Sequence, residues 1–455
     1  SGLDGDSKYY MRVKAMSSTV NESKWVYYKD GSSFKTKAEQ IFNNVEATDL
    51  FEDHVNLSWT PGADVTHITY ANANDAENIQ TINLTDEEKA AGKYTLGGLN
   101  PTSTYTITIY KNDVKRGQLQ ITTPAAMPAA DYKYSLASDV TVISQTLIDE
   151  IAEQAKAKAG NATNYSATIG IPAGAKVALY GTNDSDGGKT NVTIPDGMSV
   201  TFFGLAGGET PTITLDKNFD VAGSHAFIKF QNVKLEENGA SYFINQSKAC
   251  TVSEFTLEDC EVSNIKNSFF RLQGSDAKSI IKLTLKNSIF TKLCAGYGFI
   301  NIDAGSGAGH LDNVEIDGCT FNSICVTGKV FIFSKKTNMQ DITIKNSTFY
   351  NCNGNGQYFV DFNDAKFGPN TFTIENCIFG KSADERTDKN IRSKTPANVA
   401  NSFRTTDFFK VIKGVYDTEF SSDQLFTDPA NGNFTIKAGT LKEKAGDPRW
   451  YVVED

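Results

Sequence analysis

The chain has 455 residues, and its 54 acidic against 44 basic side chains leave a formal net charge of −10 at pH 7. This balance argues against a nucleic-acid partner or an anionic membrane, either of which would need a basic surface. Abundant Asn, Thr, Ser and Gly predict an all-β protein with many turns. The sequence contains no apolar run of about 18 residues, so it predicts no transmembrane helix.

The first 124 residues alternate in short strand-like phrases. In "LDGDSKYYMRVKA" Leu3 precedes Tyr9 by six positions, and in "LNPTSTYTITIY" Leu99 precedes Tyr105 by the same spacing. Each tyrosine opens a run with apolar residues at every second position, which is typical of a strand with one buried face. Upstream of the second phrase, "VNLSWTPG" places Trp59 where a β-sandwich has its core tryptophan.

The leucine–tyrosine spacing beside the "SWTP" strand resembles the fibronectin type III fold. The resemblance implies one complete domain over residues 42–124. Residues 1–41 match only the last strands of a second such domain. A two-stranded piece of this kind has marginal stability by itself.

Residues 125–142, rich in Pro and Ala, are predicted to form a linker. The phrase "SQTLIDEIAEQAKAKAG" then carries apolar residues at helical spacing, with Ser144 or Thr146 as its N-cap and Gly160 at its end. We expect this helix to open a domain over residues 143–455 and to cover the first turn of that domain.

A repeat governs the rest of the chain. "FTLEDCEV", "LTLKNSIF", "VEIDGCTF", "ITIKNSTF" and "FTIENCIF" recur at intervals of 28 to 31 residues. Each period holds a second apolar phrase and no helix, which indicates a right-handed parallel β-helix. In "LTLKNSIF" the alternation predicts that Leu283, Leu285, Ser288 and Phe290 point inward.

A column of turn residues marks a bend in every repeat: Asn232, Asp259, Asn287, Gly318, Asn346 and Asn376. These residue types accept left-handed backbone angles. Their stacking resembles the asparagine ladder of pectate lyase-like β-helices. The seven cysteines, an odd number without regular spacing, favour buried free thiols over a disulfide framework or a zinc site.

Outward positions of the second apolar phrase are the candidate ligand site. Polar side chains about 4.8 Å apart suit the hydroxyl and carboxylate groups along a sugar chain. Two tyrosines flank this strip and offer rings for stacking on a pyranose. The candidate residues are Arg271, Asn301 and Asp361 in one column, Gln273, Asp303 and Asn363 in the next, and Tyr297 and Tyr358 at the border. Asp364, Lys366, Lys335 and Lys336 are predicted in the following bends.

The alternatives are an ordinary solvated sheet face and a lyase site. In the lyase hypothesis Arg271 is the base, and Asp303 or Asp361 holds the calcium that β-elimination of a uronate requires. Phrases resembling the W-x-D-H and R-x-P-x-x-R motifs of pectate lyases do not occur. We therefore expect no catalytic residue, no metal and no cofactor. A structural surface adhesin is the third alternative.

The closing segment "LFTDPANGNFTIKAGT…AGDPRW" resembles the tail of secreted β-helix proteins of gut Bacteroidetes that carry fibronectin type III domains. The resemblance implies an extracellular or outer-membrane lipoprotein of a polysaccharide-utilization system. Its partners would be a polysaccharide or oligosaccharide ligand and an outer-membrane glycan importer. On this hypothesis Arg271→Ala or Asp361→Ala weakens glycan binding and leaves the melting temperature nearly unchanged.

Overall fold

The computed structural model describes residues 8–37, 39–46, 49–183, 185–305, 307–363, 365–441 and 444–451. Leu3 and Asp364 lie outside these ranges. The chain divides into two compact units, with the boundary between Ala126 and Met127. No helix within the described ranges is both long and apolar enough to cross a bilayer.

The N-terminal segment forms two small antiparallel pairs and a 3₁₀ turn at Tyr28–Gly31. Tyr9 lies opposite Phe34, and the two rings stack at 6.0 Å. Within the described residues these strands pair only with one another. The pairs are β1 (Lys8–Tyr10) with β4 (Ser33–Lys35) and β2 (Arg12–Val13) with β3 (Val26–Tyr27).

The next domain is a fibronectin type III-like β-sandwich. One layer pairs two strands and is extended by a bridge between Phe42 and Trp59; the other has four antiparallel strands in the order β10-β9-β6-β7. A short helix α1 (Asp86–Ala91) and a 3₁₀ turn (Ala73–Asp75) connect strands. The strands are β5 (His54–Ser58), β6 (His67–Asn72), β7 (Gln80–Asn83), β8 (Lys93–Gly97), β9 (Thr104–Lys111) and β10 (Val114–Thr122).

The predicted core of this sandwich is confirmed. Trp59, Leu99 and Tyr105 are buried together with the alternating isoleucines of β9. The Tyr105 hydroxyl accepts a hydrogen bond from the backbone N–H of Asn100 at 2.9 Å. This bond fixes the corner that the leucine–tyrosine spacing predicts.

The second unit is a parallel β-solenoid of about eight turns built from three sheets. Each turn of the regular region contributes one strand to each sheet, and every strand pairs in parallel with its counterpart in the next turn. The ten-stranded sheet comprises β11 (Tyr132–Ser135), β13 (Tyr165–Ile171), β18 (Met198–Gly204), β21 (Gly223–Gln231), β24 (Cys250–Glu258), β27 (Lys278–Lys286), β30 (Gly309–Asp317), β33 (Met339–Lys345), β36 (Pro369–Glu375) and β39 (Asn398–Ala400).

The other two sheets complete each turn. The eight-stranded sheet comprises β17 (Val192–Ile194), β20 (Phe219–Val221), β23 (Tyr242–Gln246), β26 (Ser268–Leu272), β29 (Ile300–Ile302), β32 (Ile332–Ser334), β35 (Val360–Asp361) and β38 (Ile391–Arg392). The eleven-stranded sheet comprises β12 (Val142–Ile143), β14 (Lys176–Leu179), β19 (Thr212–Leu215), β22 (Lys234–Glu237), β25 (Glu261–Ser263), β28 (Ile289–Leu293), β31 (Thr320–Ile324), β34 (Thr348–Tyr350), β37 (Ile378–Phe379), β40 (Phe403–Arg404) and β41 (Tyr416–Asp417). A small hairpin pairs β15 (Gly181–Thr182) with β16 (Lys189–Thr190).

The solenoid begins earlier in the chain than predicted. Residues 125–142 contain β11 and the first residue of β12, which pair in parallel with β13 and β14, so this stretch is not simply a linker. Helix α2 (Gln145–Lys158) follows, with Ser144 as its N-cap, and buries Ile148 and Ile151 in the solenoid core. The Gln145 amide exchanges two hydrogen bonds, 2.8 and 2.9 Å, with the backbone of Thr193 in β17. The side chain therefore takes the place of a neighbouring strand at this edge.

Stacked aromatic rings fill the interior. One phenylalanine column contributes a ring in five successive turns, with centroid separations of 4.8 to 5.3 Å. The predicted inward residues Leu283, Leu285, Ser288 and Phe290 are all fully buried. The column is Phe243, Phe269, Phe299, Phe331 and Phe359.

The bend between the ten- and eleven-stranded sheets is the predicted turn column. Its residues adopt positive φ, as at Asn287 (47°) and Asn346 (48°). Asn376 donates to the Asn346 side-chain oxygen at 3.1 Å, and Asn401 donates to Asn376 at 2.7 Å, which forms an asparagine ladder. All seven cysteines are free and buried, as predicted.

The C-terminal tail packs back onto the eleven-stranded sheet. It contains α3 (Ser422–Leu425), the antiparallel pair β42 (Phe426–Asp428) and β43 (Asn433–Ile436), and 3₁₀ turns at Pro429–Asn431 and Pro448–Trp450. The buried Asp447 accepts a hydrogen bond from the Thr320 hydroxyl at 2.7 Å, and the Trp450 indole donates to the same hydroxyl. The "GDPRW" phrase thus fastens the tail to the solenoid.

Candidate ligand-binding trough

The outward face of the eight-stranded sheet carries a column of unlike side chains, which we call the floor. Backbone pairing places Arg271 beside Asn301, and it places Asp361 two rows further along. The three predicted residues of this column therefore share one line, with rows about 4.8 Å apart. The complete floor is Asn245, Arg271, Asn301, Phe333, Asp361 and Arg392.

A polar rim follows the carboxyl ends of the same strands. The N–H of Asp303 bonds the carbonyl of Leu272 at 3.1 Å, and the N–H of Lys335 bonds that of Ile302 at 2.9 Å, so the parallel register continues past the strands. The rim consists of Gln273, Asp303, Lys335 and Asn363. The Asn363 amide donates to the Lys335 carbonyl at 2.8 Å, and this donor is therefore engaged with the backbone.

An aromatic rim lies on the opposite side, at the start of the strands. It consists of Tyr242, which is the first residue of β23, and of Tyr297 and Tyr358, which precede β29 and β35. The rings of Tyr242 and Tyr297 lie 6.1 Å apart, and Tyr297 is 37% exposed. Floor, polar rim and aromatic rim lie side by side along the solenoid axis, and we refer to the three together as the trough.

Arg271 is held by both rims. Its Nε and Nη2 donate to the two carboxylate oxygens of Asp303 at 2.8 to 3.2 Å, and its guanidinium lies 3.7 Å from the Tyr297 ring centroid. Burial lowers the pKa of Arg271, but the hydrogen bonds and negative charge of Asp303 outweigh that effect and raise it. The pair is 14% and 16% exposed, so each charge is already neutralised in a partly dry setting.

Asp361 and Arg392 repeat this arrangement further along the floor. Arg392 donates from Nε at 2.8 Å and from Nη2 at 2.6 Å, one hydrogen bond to each carboxylate oxygen. Its guanidinium lies 4.3 Å from the Tyr358 ring centroid. The Asp361 side chain is 8% exposed. Replacement of Asp361 must therefore also affect folding, which corrects the expectation that Asp361→Ala leaves the melting temperature unchanged.

Two amides on either side of Arg271 have unused hydrogen-bonding atoms. Asn301 is 5% exposed, and its Nδ2 has no hydrogen-bond partner among the described residues, whereas its Oδ1 accepts from the Gly298 N–H at 3.2 Å. The Oδ1 of Asn245 is likewise buried and without a partner in the described part of the chain. A buried donor or acceptor left in this state costs free energy, which a hydrogen bond to a ligand hydroxyl or to a water molecule would recover.

Sequence reasoning missed Asn245, Phe333, Arg392 and the third tyrosine. The phrase over residues 330–334 contains Phe333. This residue falls in the same column as Asn301 only when Phe331, and not Val330, is aligned with Phe299. Arg392 lies in a strand of only two residues, so no apolar alternation marks it. Among the residues that the structure describes, no three His, Cys, Asp or Glu side chains converge as a metal site would require.

The chain is similar in part to a protein family and to solved structures of fibronectin type III domains. A family of unknown function, DUF5123, matches residues 342–450, which cover the last turns and the tail. No curated protein matches the sequence.

Two solved structures of fibronectin type III domains match 27% of the chain each. The first comprises domains FN1–FN3 of chicken CNTN1, with 18% identity and a TM-score of 0.15; the chain spans 42% of its length. The second is a two-domain fibronectin type III segment of chicken tenascin, with 19% identity and a TM-score of 0.18; the chain spans 68% of its length.

Proposed function

We propose that the protein is a non-catalytic polysaccharide-binding protein and that the trough is its binding site. The observation that carries the proposal is the composition of the trough. Two Arg–Asp pairs, each against a tyrosine, flank the half-buried Phe333 on the outward face of the eight-stranded sheet. Rings next to hydrogen-bonding groups suit a pyranose, which has an apolar face and a hydroxyl-bearing edge.

The proposed setting follows from the sequence resemblance. We propose a pectate lyase-like β-helix from a Bacteroidetes species, displayed as a lipoprotein on the outer-membrane surface. There it would capture glycan for an importer of a polysaccharide-utilization system. The strongly acidic composition, with a formal charge of −10, is compatible with a carbohydrate ligand and unfavourable for nucleic acid.

The proposal is tested on an array of pectic, host and fungal polysaccharides. Tyr297→Ala and Tyr358→Ala should each weaken binding at least tenfold, because each removes a ring of the aromatic rim. Tyr416→Ala is the matched control, since Tyr416 is a 60% exposed tyrosine of the eleven-stranded sheet. Melting temperatures of all three variants should stay close to that of the parent protein.

The same samples, incubated with calcium, are read for the absorbance of unsaturated uronates. Binding without product supports the capture function. Product formation would make the protein a lyase and overturn the proposal. Normal binding by both rim variants would show that the trough is a solvated sheet face.

A further inference from the structure

The arginine and aspartate charges of the trough are already paired with one another. Each arginine of the floor donates hydrogen bonds from two of its nitrogens to one carboxylate, Arg271 to Asp303 and Arg392 to Asp361. A ligand carboxylate would have to displace these intramolecular partners or lie beside them as a like charge. Neither arginine is therefore prepared to bind an acidic sugar.

The polar rim adds no net charge, because Asp303 is followed in its column by Lys335. The trough as a whole contains three positive groups, those of Arg271, Arg392 and Lys335, against the two carboxylates. One surplus positive charge is little attraction for a polymer that carries a carboxylate on every sugar. The chain's net charge of −10 opposes the approach of a polyanion further.

Lys335 is exposed, whereas the polar atoms of the trough that are buried without a partner among the described residues are uncharged. Asn301 Nδ2 is an unused donor, Asn245 Oδ1 is an unused acceptor, and the two residues lie two rows apart, about 9.6 Å along the axis. A hydroxyl both donates and accepts, so it can satisfy either atom. Asn301 lies between Arg271 and Phe333 in the register, so a ligand can reach its buried amide only if one of these neighbours shifts.

From these observations we infer that the trough selects an uncharged, hydroxyl-rich glycan over a polyuronate. This inference rests on the proposed glycan-binding function. Phe333 supplies the apolar contact at the centre of the floor, and the amides on either side of Arg271 orient the hydroxyls. The internal ion pairs keep the rings and amides in place rather than contact acidic groups of the ligand.

The test uses uronic-acid polymers and their carboxyl-reduced counterparts, in which each carboxylate has become a hydroxymethyl group on an unchanged backbone. Polygalacturonate and hyaluronan, each with its reduced form, are placed on the array beside neutral glucans, mannans and xylans. Binding of the full chain is measured at about 0.1 M and about 1 M NaCl, where the screening length falls from about 10 Å to about 3 Å.

We expect neutral polymers to bind, their acidic counterparts to bind at least tenfold more weakly, and the affinity for neutral polymers to be nearly independent of salt. Equal or tighter binding of an acidic form, lost at high salt, would overturn the inference and leave the glycan-binding function standing. If no polysaccharide of either kind binds, both the function and the inference fail.

Two variants connect the selectivity to the floor. Asn301→Leu removes the unused donor in a side chain of similar size and should reduce neutral-glycan binding about tenfold. The melting temperature should fall slightly, because the Gly298 N–H loses its acceptor. Phe333→Ala, at a half-buried position, should have the same effect on binding and guards against a folding defect in the first variant. If the folded Asn301→Leu variant and the Phe333→Ala variant both bind neutral glycans as tightly as the parent protein, the contacts assigned to these two residues are wrong.

Discussion

The pair formed by Asp361 and Arg392 allows a quantitative test of how the trough is held. Asp361→Ala removes both hydrogen bonds that the Arg392 guanidinium makes to the carboxylate. A hydrogen bond to a charged group contributes about 1.5–3 kcal/mol. The Asp361 side chain is 8% exposed but that of Arg392 is 31% exposed, so water recovers part of the loss. We expect the free energy of unfolding to fall by about 2 kcal/mol.

The assay is a double-mutant cycle with Arg392→Ala, followed by urea unfolding of the full chain. The double variant should be less destabilised than the sum of the single variants by about 1–2 kcal/mol, because the second substitution removes a charge that the first leaves unpaired. Asp388→Ala is the control. Its pair with Arg386 is 56% exposed on both sides, and its loss should change the urea midpoint little.

A coupling energy below about 0.5 kcal/mol would refute the reasoning, since sites without shared interactions add to within that margin. The slope of the transition must be compared as well. A changed slope would indicate that turns of the solenoid unfold separately, and a single free energy would then not describe the protein.

Three further predictions concern the framework. Asn346→Ala should lower the free energy of unfolding by about 2 kcal/mol, because the variant loses the ladder hydrogen bonds and must hold alanine at a φ of 48°. Asn346→Gly should cost less, because glycine accepts this φ without strain. Urea unfolding measures both variants. Gln145→Ala should expose the edge of β17 and increase light scattering on heating, whereas Gln154→Ala, on the exposed face of α2, should not. Burial raises the pKa of Cys260 and Cys377 to about 12, so a thiol reagent should label the protein only after unfolding, at seven sites; labelling of the folded protein at either residue would contradict this burial.

The sequence predicted the architecture well because the inward positions repeat. Columns such as the five phenylalanines and the turn residues at Asn287 and Asn346 recur at a near-constant interval, and each copy confirms the alignment of the others. The same argument placed Arg271, Asn301 and Asp361 in one line. The start of the solenoid was predicted too late because β11 and β12 precede the repeat and carry none of its phrases.

The electrostatics of the trough could not be predicted in the same way. Strand alternation assigned Arg271 and Asp303 to different columns, but a long guanidinium side chain reaches from one column to the next. The pairing of Asp361 with Arg392 depends on a residue 31 positions later in a strand of two residues. Which outward charges neutralise one another is decided by side-chain reach and rotamer, and periodicity reports neither.

The floor departs from the rule that the rest of the solenoid follows. Most inward columns repeat apolar residues, and some, such as the phenylalanine column, repeat one residue type, because similar side chains stack well at the spacing of neighbouring strands. Along the floor the successive side chains are instead an amide, a guanidinium, an amide, a phenyl ring, a carboxylate and a guanidinium. Neither ring stacking nor ion pairing accounts for Phe333 in the floor. A half-buried ring on an outward face is stabilised more by contact with a bound apolar surface than by contact with water. Phe333→Ala is therefore the substitution whose effect on binding should most exceed its effect on folding, and the reverse outcome would assign the ring to the framework.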